Sequence, residues 1–126
     1  MRILIADDHD LLRDTLAAFL GAEGDIEMGS AASFDEACER IRQDRAYNLV
    51  LLDYKMPGMN GLDSLRDALA MDDAPRIALI SGEATRDIAE KALEMGAAGF
   101  VPKTLPAKSL VNAIKFMAMG EQYAPI

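Results

Sequence analysis

Five short apolar runs alternate with five amphipathic stretches along the chain, and this alternation limits the fold more than any other feature. Strands that alternate with helices imply a parallel sheet with helices on both faces. Ile3–Ala6 is the first apolar run. Asp10 precedes a helical pattern that puts Leu12, Thr15, Leu16 and Phe19 on one side and ends near Gly21. Ile26–Ala32 is a weaker strand candidate. Ser33-Phe34-Asp35-Glu36 spells a capping box, in which a hydroxyl and a carboxylate satisfy free amides at a helix start, and a helix to about Gln43 follows. Asn48–Asp53 is the strongest strand signal, apolar on both faces as a central parallel strand must be. The turn-rich run Met56-Pro57-Gly58-Met59-Asn60-Gly61 separates it from a helix over about Leu62–Met71. Arg76–Ser81 is another apolar strand. Thr85 caps a helix that runs to Met95 and stops at Gly96. Gly99–Pro102 is a short last strand, and Pro106 suits the first turn of a final helix ending near Gly120. At about 100° per residue, Leu110, Val111, Ile114, Met117 and Ala118 of that helix face the sheet, while Asn112, Phe116 and Met119 point away.

A chain of 126 residues makes one ordinary domain, and 51% hydrophobic residues supply one core. Residues 1–120 are read as that domain; 121–126 carry no periodic pattern and read as the start of a linker. No apolar run approaches the ~18 residues of a membrane span, and the start meets acid at once, unlike a signal peptide. A cytoplasmic address is the simplest expectation. The net charge of −8 argues against direct nucleic-acid binding by this segment, because phosphate backbones demand clustered Lys and Arg. The single cysteine, Cys38, has no thiol to pair with and reads as a small hydrophobe on a helix face.

The informative residues are polar and stand at the carboxyl ends of the apolar runs: Asp7 and Asp8, Asp53, Ser81 and Lys103. Ligands of open α/β sheets bind outside those strand ends, so these side chains are expected to converge. Three carboxylates in close quarters repel: two unit charges ~4 Å apart at an effective dielectric of ~20 interact by about 4 kcal/mol. Cations must balance them, or one stays protonated. Lys103 offers one cation. A hard divalent ion bound through oxygen is the natural second, and Mg²⁺ fits best because it accepts one or two carboxylates, keeps waters and bridges to phosphate oxygens. A carboxylate can attack phosphorus to form an aspartyl phosphate. A nucleophile, a metal site, a lysine and a hydroxyl donor are all present.

The set Asp7-Asp8, Asp53-Tyr54-Lys55-Met56-Pro57-Gly58-Met59-Asn60-Gly61, Ser81-Gly82 and Gly99-Phe100-Val101-Pro102-Lys103 resembles the receiver domains of bacterial two-component response regulators, over nearly the whole chain. The resemblance implies a flavodoxin-like (βα)5 doubly wound sheet of strand order 2-1-3-4-5, with strands 2 and 5 at the edges. Pro102 agrees, since proline is tolerated where the ladder is incomplete. It implies Asp53 as phosphoacceptor, Asp8 as direct Mg²⁺ ligand, Asp7 acting largely through water, and the Lys55 carbonyl as the third protein ligand. Lys103 would pair with the phosphoryl group, Ser81 would turn its hydroxyl toward a phosphoryl oxygen, and Phe100 would swing inward into the space vacated. The partner implied is a sensor histidine kinase. Asp8-His9-Asp10-Leu11-Leu12-Arg13 and Gly120-Glu121-Gln122-Tyr123 look like the LuxR/NarL-type subfamily, whose receivers precede a helix-turn-helix DNA-binding domain, so DNA would be met only through an output domain that is not in this chain. His9 reads as a loop residue of that subfamily rather than a metal ligand. Thr104 stands where many relatives have proline in a cis peptide; a cis bond there would cost ~2.5–4 kcal/mol, so trans is expected.

Lys55 and Glu83 lie two residues beyond Asp53 and Ser81, positions that the resemblance places beside the path of the attacking water, where an ion pair between them would slow hydrolysis. Phe116 and Met119, one turn apart, form an apolar patch, and the resemblance, in whose family the last helices and strand carry phosphorylation-dependent dimer contacts, implies a homodimer contact there on phosphorylation. Rival classes fit less well. A haloacid-dehalogenase-type phosphatase needs an acid where Lys55 stands. A nucleotide-binding domain needs glycines that Asp7–Leu12 lacks. A pseudo-receiver that only binds partners usually loses site residues, and none is lost here.

Overall fold

The computed structural model describes residues 1–124 apart from Glu23, Arg45 and Ala84. Strands and helices alternate as β1 (Arg2–Ala6), α1 (Asp10–Gly21), β2 (Glu27–Ala31), α2 (Phe34–Gln43), β3 (Leu49–Asp53), α3 (Gly61–Leu69), β4 (Arg76–Ser81), α4 (Arg86–Glu94), β5 (Gly99–Pro102) and α5 (Ala107–Ala118). The five strands form one parallel sheet in the order β2-β1-β3-β4-β5, the flavodoxin-like arrangement that the resemblance implied. Every residue of β3 is buried, because it has a strand on each side and a helix layer on each face.

Side chains of a strand point alternately to its two faces, so one apolar run feeds two cores. Leu4 and Ala6 of β1, Val50 and Leu52 of β3, and Leu79 of β4 join the layer that contains Ala37 and Ile41 of α2, Leu65 of α3 and Ala92 of α4. Ile3, Ile5, Leu49, Leu51 and Ile80 join the opposite layer, with Leu16 and Leu20 of α1 and Leu110, Ile114 and Met117 of α5. Parallel register then aligns the carboxyl ends. The Asp7 amide donates to the Ala31 carbonyl at 3.0 Å, the Tyr54 amide to Ile80 at 2.9 Å and the Lys103 amide to Ser81 at 2.8 Å. These bonds carry the ladder one step past the strands and fix the residues that leave the sheet.

The caps form largely as the sequence predicts. Ser33 accepts from the Glu36 amide at 3.1 Å, and the Glu36 carboxylate accepts from the amide of Ala32, not of Ser33, at 3.1 Å. Thr85 accepts from the Ile88 amide at 3.4 Å. The Lys103–Thr104 peptide is trans. In α1 the apolar side differs from expectation at one place: Phe19 is 49% exposed and Leu20 is fully buried. Leu12, Leu16 and Leu20 recur every four residues and set the core direction, which carries Phe19 off its edge. In α5 the five inward residues are buried, and Asn112, Phe116 and Met119 are exposed, as the periodicity requires.

Residues beyond α5 run back along the sheet edge. The Tyr123 amide donates to the Ala98 carbonyl at 2.9 Å, and the Phe100 amide donates to the Tyr123 carbonyl at 3.4 Å. Gly99 and Tyr123 form a parallel bridge. Arg76 reaches over from β4 to the carbonyls of Met117 at 3.0 Å and Glu121 at 2.7 Å. Residues 125 and 126 of the expected linker lie outside the described residues.

Candidate functional site

Asp7, Asp53, Ser81 and Lys103 meet at the carboxyl end of the sheet, with Asp8 and His9 above them on the turn into α1. Asp7 and Asp53 are buried side by side around one ammonium. Lys103 Nζ lies 2.8 Å from Asp7 Oδ2 and 3.0 Å from Asp53 Oδ2. The Lys55 amide donates to Asp53 Oδ1 at 3.2 Å, and the His9 amide to Asp7 Oδ1 at 2.8 Å. Asp8 is exposed and open to solvent. Local backbone explains the placement: Asp53 and Ser81 are the last residues of β3 and β4, Asp7, Asp8 and Lys103 directly follow β1 and β5, and the turn after β3 folds the chain back so that the Lys55 N–H meets the preceding carboxylate.

One cation does not neutralise two buried carboxylates. Burial pushes the Asp53 carboxyl above its ordinary value, and the Asp7 charge adds to the push against the opposing Lys103 ammonium and Lys55 amide. Burial would do the same to Asp7, but Lys103 and the amide and ring of His9 outweigh it and hold that carboxyl below its ordinary value. Burial works to lower the Lys103 ammonium, yet contact with both carboxylates holds it above its ordinary value. Asp7 Oδ2 is buried and, despite its closeness to Lys103, has no aligned hydrogen bond among the described residues. It keeps lone pairs aimed at the cluster. Asp7, Asp8 and Asp53, joined by His9, offer ligand atoms that all lie within 4.8 Å of one another, so the cluster can hold a metal ion. Oxygen donors of this charge suit a hard divalent cation.

Of the two switch residues, Ser81 sits differently from the active arrangement that the resemblance implies, and Phe100 already sits as that arrangement has it. The Ser81 hydroxyl is engaged with Glu83, accepting from its amide and donating to its carbonyl, both at 3.1 Å. Phe100 already points inward and is fully buried, in the cluster that contains Ala89, Ala92 and Ala97. Lys55 Nζ and Glu83 Oε2 form an exposed ion pair at 2.6 Å, as their spacing suggested. His9 is the residue that sequence reasoning set aside. Its Nδ1 stands 2.9 Å from Asp7 Oδ1, 3.1 Å from Lys103 Nζ and 3.4 Å from Asp8 Oδ1. Adjacency to the acidic pair was its only signal in the sequence.

A five-stranded 2-1-3-4-5 sheet with an acidic cluster and a lysine at its carboxyl edge is the arrangement of a class, the receiver module of two-component signalling. Residues 3–115 match the response regulator receiver domain, and the chain belongs to that family. Its relatives include the glycerol metabolism activator of Pseudomonas putida, 34% identical over 98% of this chain and 57% of that protein. The transcriptional regulatory protein LiaR of Bacillus subtilis is 31% identical over 96% of this chain and 57% of its own length. The chain thus spans little more than half the length of these relatives. Among solved structures, the signal receiver domain of the putative response regulator NarL from Mycobacterium tuberculosis superposes with a TM-score of 0.84 at 32% identity, covering 95% of this chain and 97% of that one. A LuxR family DNA-binding response regulator from Silicibacter pomeroyi gives 0.84 at 32% identity, over 99% and 97%. No helix among the described residues is long and apolar enough to cross a membrane.

Proposed function

We propose that this chain is a phosphorylation-activated switch in which Asp53 accepts a phosphoryl group from a sensor histidine kinase, with Mg²⁺ as cofactor. The observation that carries the reading is the pair of buried carboxylates, Asp7 and Asp53, around a single ammonium. Such a site is one positive charge short, and a divalent ion together with a phosphoryl group completes it. Asp7, Asp8 and Asp53, with the Lys55 carbonyl, would hold Mg²⁺, which when bound neutralises the oxygens of the incoming phosphoryl group.

An Asp53 oxygen attacks phosphorus, a P–O bond forms, and the P–N bond to the donor histidine breaks. The electron pair of that bond leaves on the imidazole nitrogen. Lys103 stabilises charge on the transferred group from where it already touches Asp53. The Lys55 amide fixes the carboxylate plane through Oδ1. Ser81 can exchange its bonds to Glu83 for a phosphoryl oxygen, which would move the loop after β4. Gly82 leaves that side open, with nothing within 4 Å of where its side chain would be. Loss of the group is a second attack on phosphorus, by water, past the Lys55–Glu83 pair. The domain is therefore not an enzyme acting on other molecules but the supporter of its own phosphotransfer and slow dephosphorylation.

The regulatory relatives support an output in transcription, through a DNA-binding domain outside this chain, in the cytoplasm. Residues 1–120 would be the receiver and the following residues the path to that output. Intact-mass analysis after incubation with Mg²⁺ and a small phosphodonor such as acetyl phosphate tests the reading. One phosphoryl adduct is expected, lost in Asp53→Asn and lost on chelation. An undiminished adduct in the Asn variant would overturn the assignment.

A further inference from the structure

The residues after α5 are built into the sheet more firmly than the start of a linker needs. Gly120, at φ 106°, ends α5 in a left-handed turn. There its amide donates to the Met117 carbonyl at 3.0 Å and the Glu121 amide to Phe116 at 3.3 Å. Arg76 takes the carbonyls of Met117 and Glu121. Residues 121–123 then run as a strap along β5. The Gln122 side-chain amide donates to the Ala97 carbonyl at 3.1 Å, and the Tyr123 backbone joins Ala98 at 2.9 Å and Phe100 at 3.4 Å.

The strap thus grips Phe100 and one wall of the space its ring fills. That ring is fully buried with Ala89 and Ala92 of α4 and with Ala97, small side chains that leave room for one large one. The Ala97 amide is tied to the Ala92 carbonyl at 3.1 Å, so α4 and the start of β5 close around the ring. A ring leaving this space must part α4 from β5, and the strap holds the β5 side from outside. Phe100 is inward while the Ser81 hydroxyl remains with Glu83, so the two switch residues are not set in step. Something other than Ser81 holds the ring, and the strap is bonded to its own backbone.

We propose that residues 121–123 are a latch that holds Phe100 inward, so that the ring answers to the docking of the strap as well as to the phosphoacceptor site. The inference rests on the reading of Phe100 as a switch residue of that site and adds a second control to it. A pull on the strap frees Ala97, Ala98 and the Phe100 amide and lets the ring out; redocking returns it. The coupling runs both ways, because a group that favours the inward ring also favours the docked strap.

The test uses the whole chain and reads the ring directly by NMR. Methyl groups of Ala89, Ala92 and Ala97 carry ring-current shifts while Phe100 lies among them and lose those shifts when it leaves. The strap is weakened by Gln122→Ala with Tyr123→Pro, which remove a side-chain donor and a backbone donor. The double variant should lose most of the alanine shifts while Ile3 and Ile5, in the opposite layer, keep theirs. Gln122→Ala alone, at an exposed position, should move the alanines less and in the same direction, and it decides the matter if the double variant unfolds. Mg²⁺ with beryllofluoride, a phosphoryl mimic, should restore the shifts in the double variant. Its affinity there should be about fivefold weaker than in wild type, because fewer molecules start with the ring inward. Alanine methyls unmoved in the variants would overturn the latch, and an unchanged beryllofluoride affinity with the shifts lost would overturn its coupling to the site. Failure of the wild type to bind beryllofluoride would contradict the phosphoacceptor reading, while the alanine shifts, recorded before any addition, still decide the latch.

Discussion

Asp53 is held in a place that suits its neutral or phosphorylated form better than its bare charge. Its pKa is raised, which means that ionisation at neutral pH costs folding stability. The penalty is absent below the ordinary value of 3.8, grows as pH rises and is complete above the folded value. Asp53→Asn should therefore melt higher than wild type at neutral pH without metal, and this gain should vanish as pH falls toward that ordinary value. Thermal melts across that range check it; a variant less stable at neutral pH would contradict it. Asp7 has the opposite sign. Its lowered pKa contributes stability above the unfolded value that is lost as pH falls through the folded one. At the exposed rim, the Lys55–Glu83 pair is worth only ~0–1 kcal/mol in stability, so its effect belongs to kinetics. Lys55→Ala and Glu83→Ala should each speed loss of the phosphoryl group by a few-fold, read from the decay of the phosphorylated mass. Unchanged lifetimes in both would remove that role. The site acids were legible because they stop apolar runs. The Ser81 and Phe100 rotamers were not, since one Ser–Glu turn and a row of alanines decide them and neither leaves a periodic trace.

The edge at β5 shows how an element can depend on a residue that has no side chain. A Cβ on Gly99 would stand 2.8 Å from the Tyr123 carbonyl oxygen and 2.5 Å from Met117 Sδ. The sulfur can move; the backbone oxygen can move only if residues 121–123 leave the sheet. Gly99→Ala should cost about 1–3 kcal/mol and expose the Tyr123 amide to hydrogen exchange. Retained protection at Tyr123 would show that the segment is not held there. A docked segment also covers unpaired groups of an edge strand, which otherwise invite pairing with other chains. Strands β4 and β5 were legible to the residue, because apolar runs bounded by turns leave little freedom. The docking of Tyr123 was not: Glu121 and Tyr123 bond through the backbone and Gln122 through its side-chain amide, none of which leaves a periodic trace, and tertiary contacts alone place them. Phe19 shows a subtler failure, where spacings of three and four both look apolar and only the packed core decides between Phe19 and Leu20.

At the scale of the molecule, the sheet is shielded at β5, the net charge is −8, and the exposed aromatic of α5 is Phe116, 46% exposed beside Met119 at 73%. Two copies with this charge repel, so association needs a surface that is apolar and a signal that favours it. Phosphorylation is expected to shift the chain from monomer toward a weak dimer through α5, and Phe116→Asp to restore the monomer. Sedimentation with and without a phosphoryl mimic reads both; a monomer at high concentration in the activated state would contradict the interface. All of this depends on where the phosphoryl group sits. Borohydride reduces an acyl phosphate to an alcohol, so reduction after labelling writes the acceptor into the sequence as homoserine. Peptide mass mapping should find homoserine at position 53 alone, and only when Mg²⁺ and donor were both present. Homoserine at Asp7 or Asp8, or none anywhere under labelling conditions, would contradict the account.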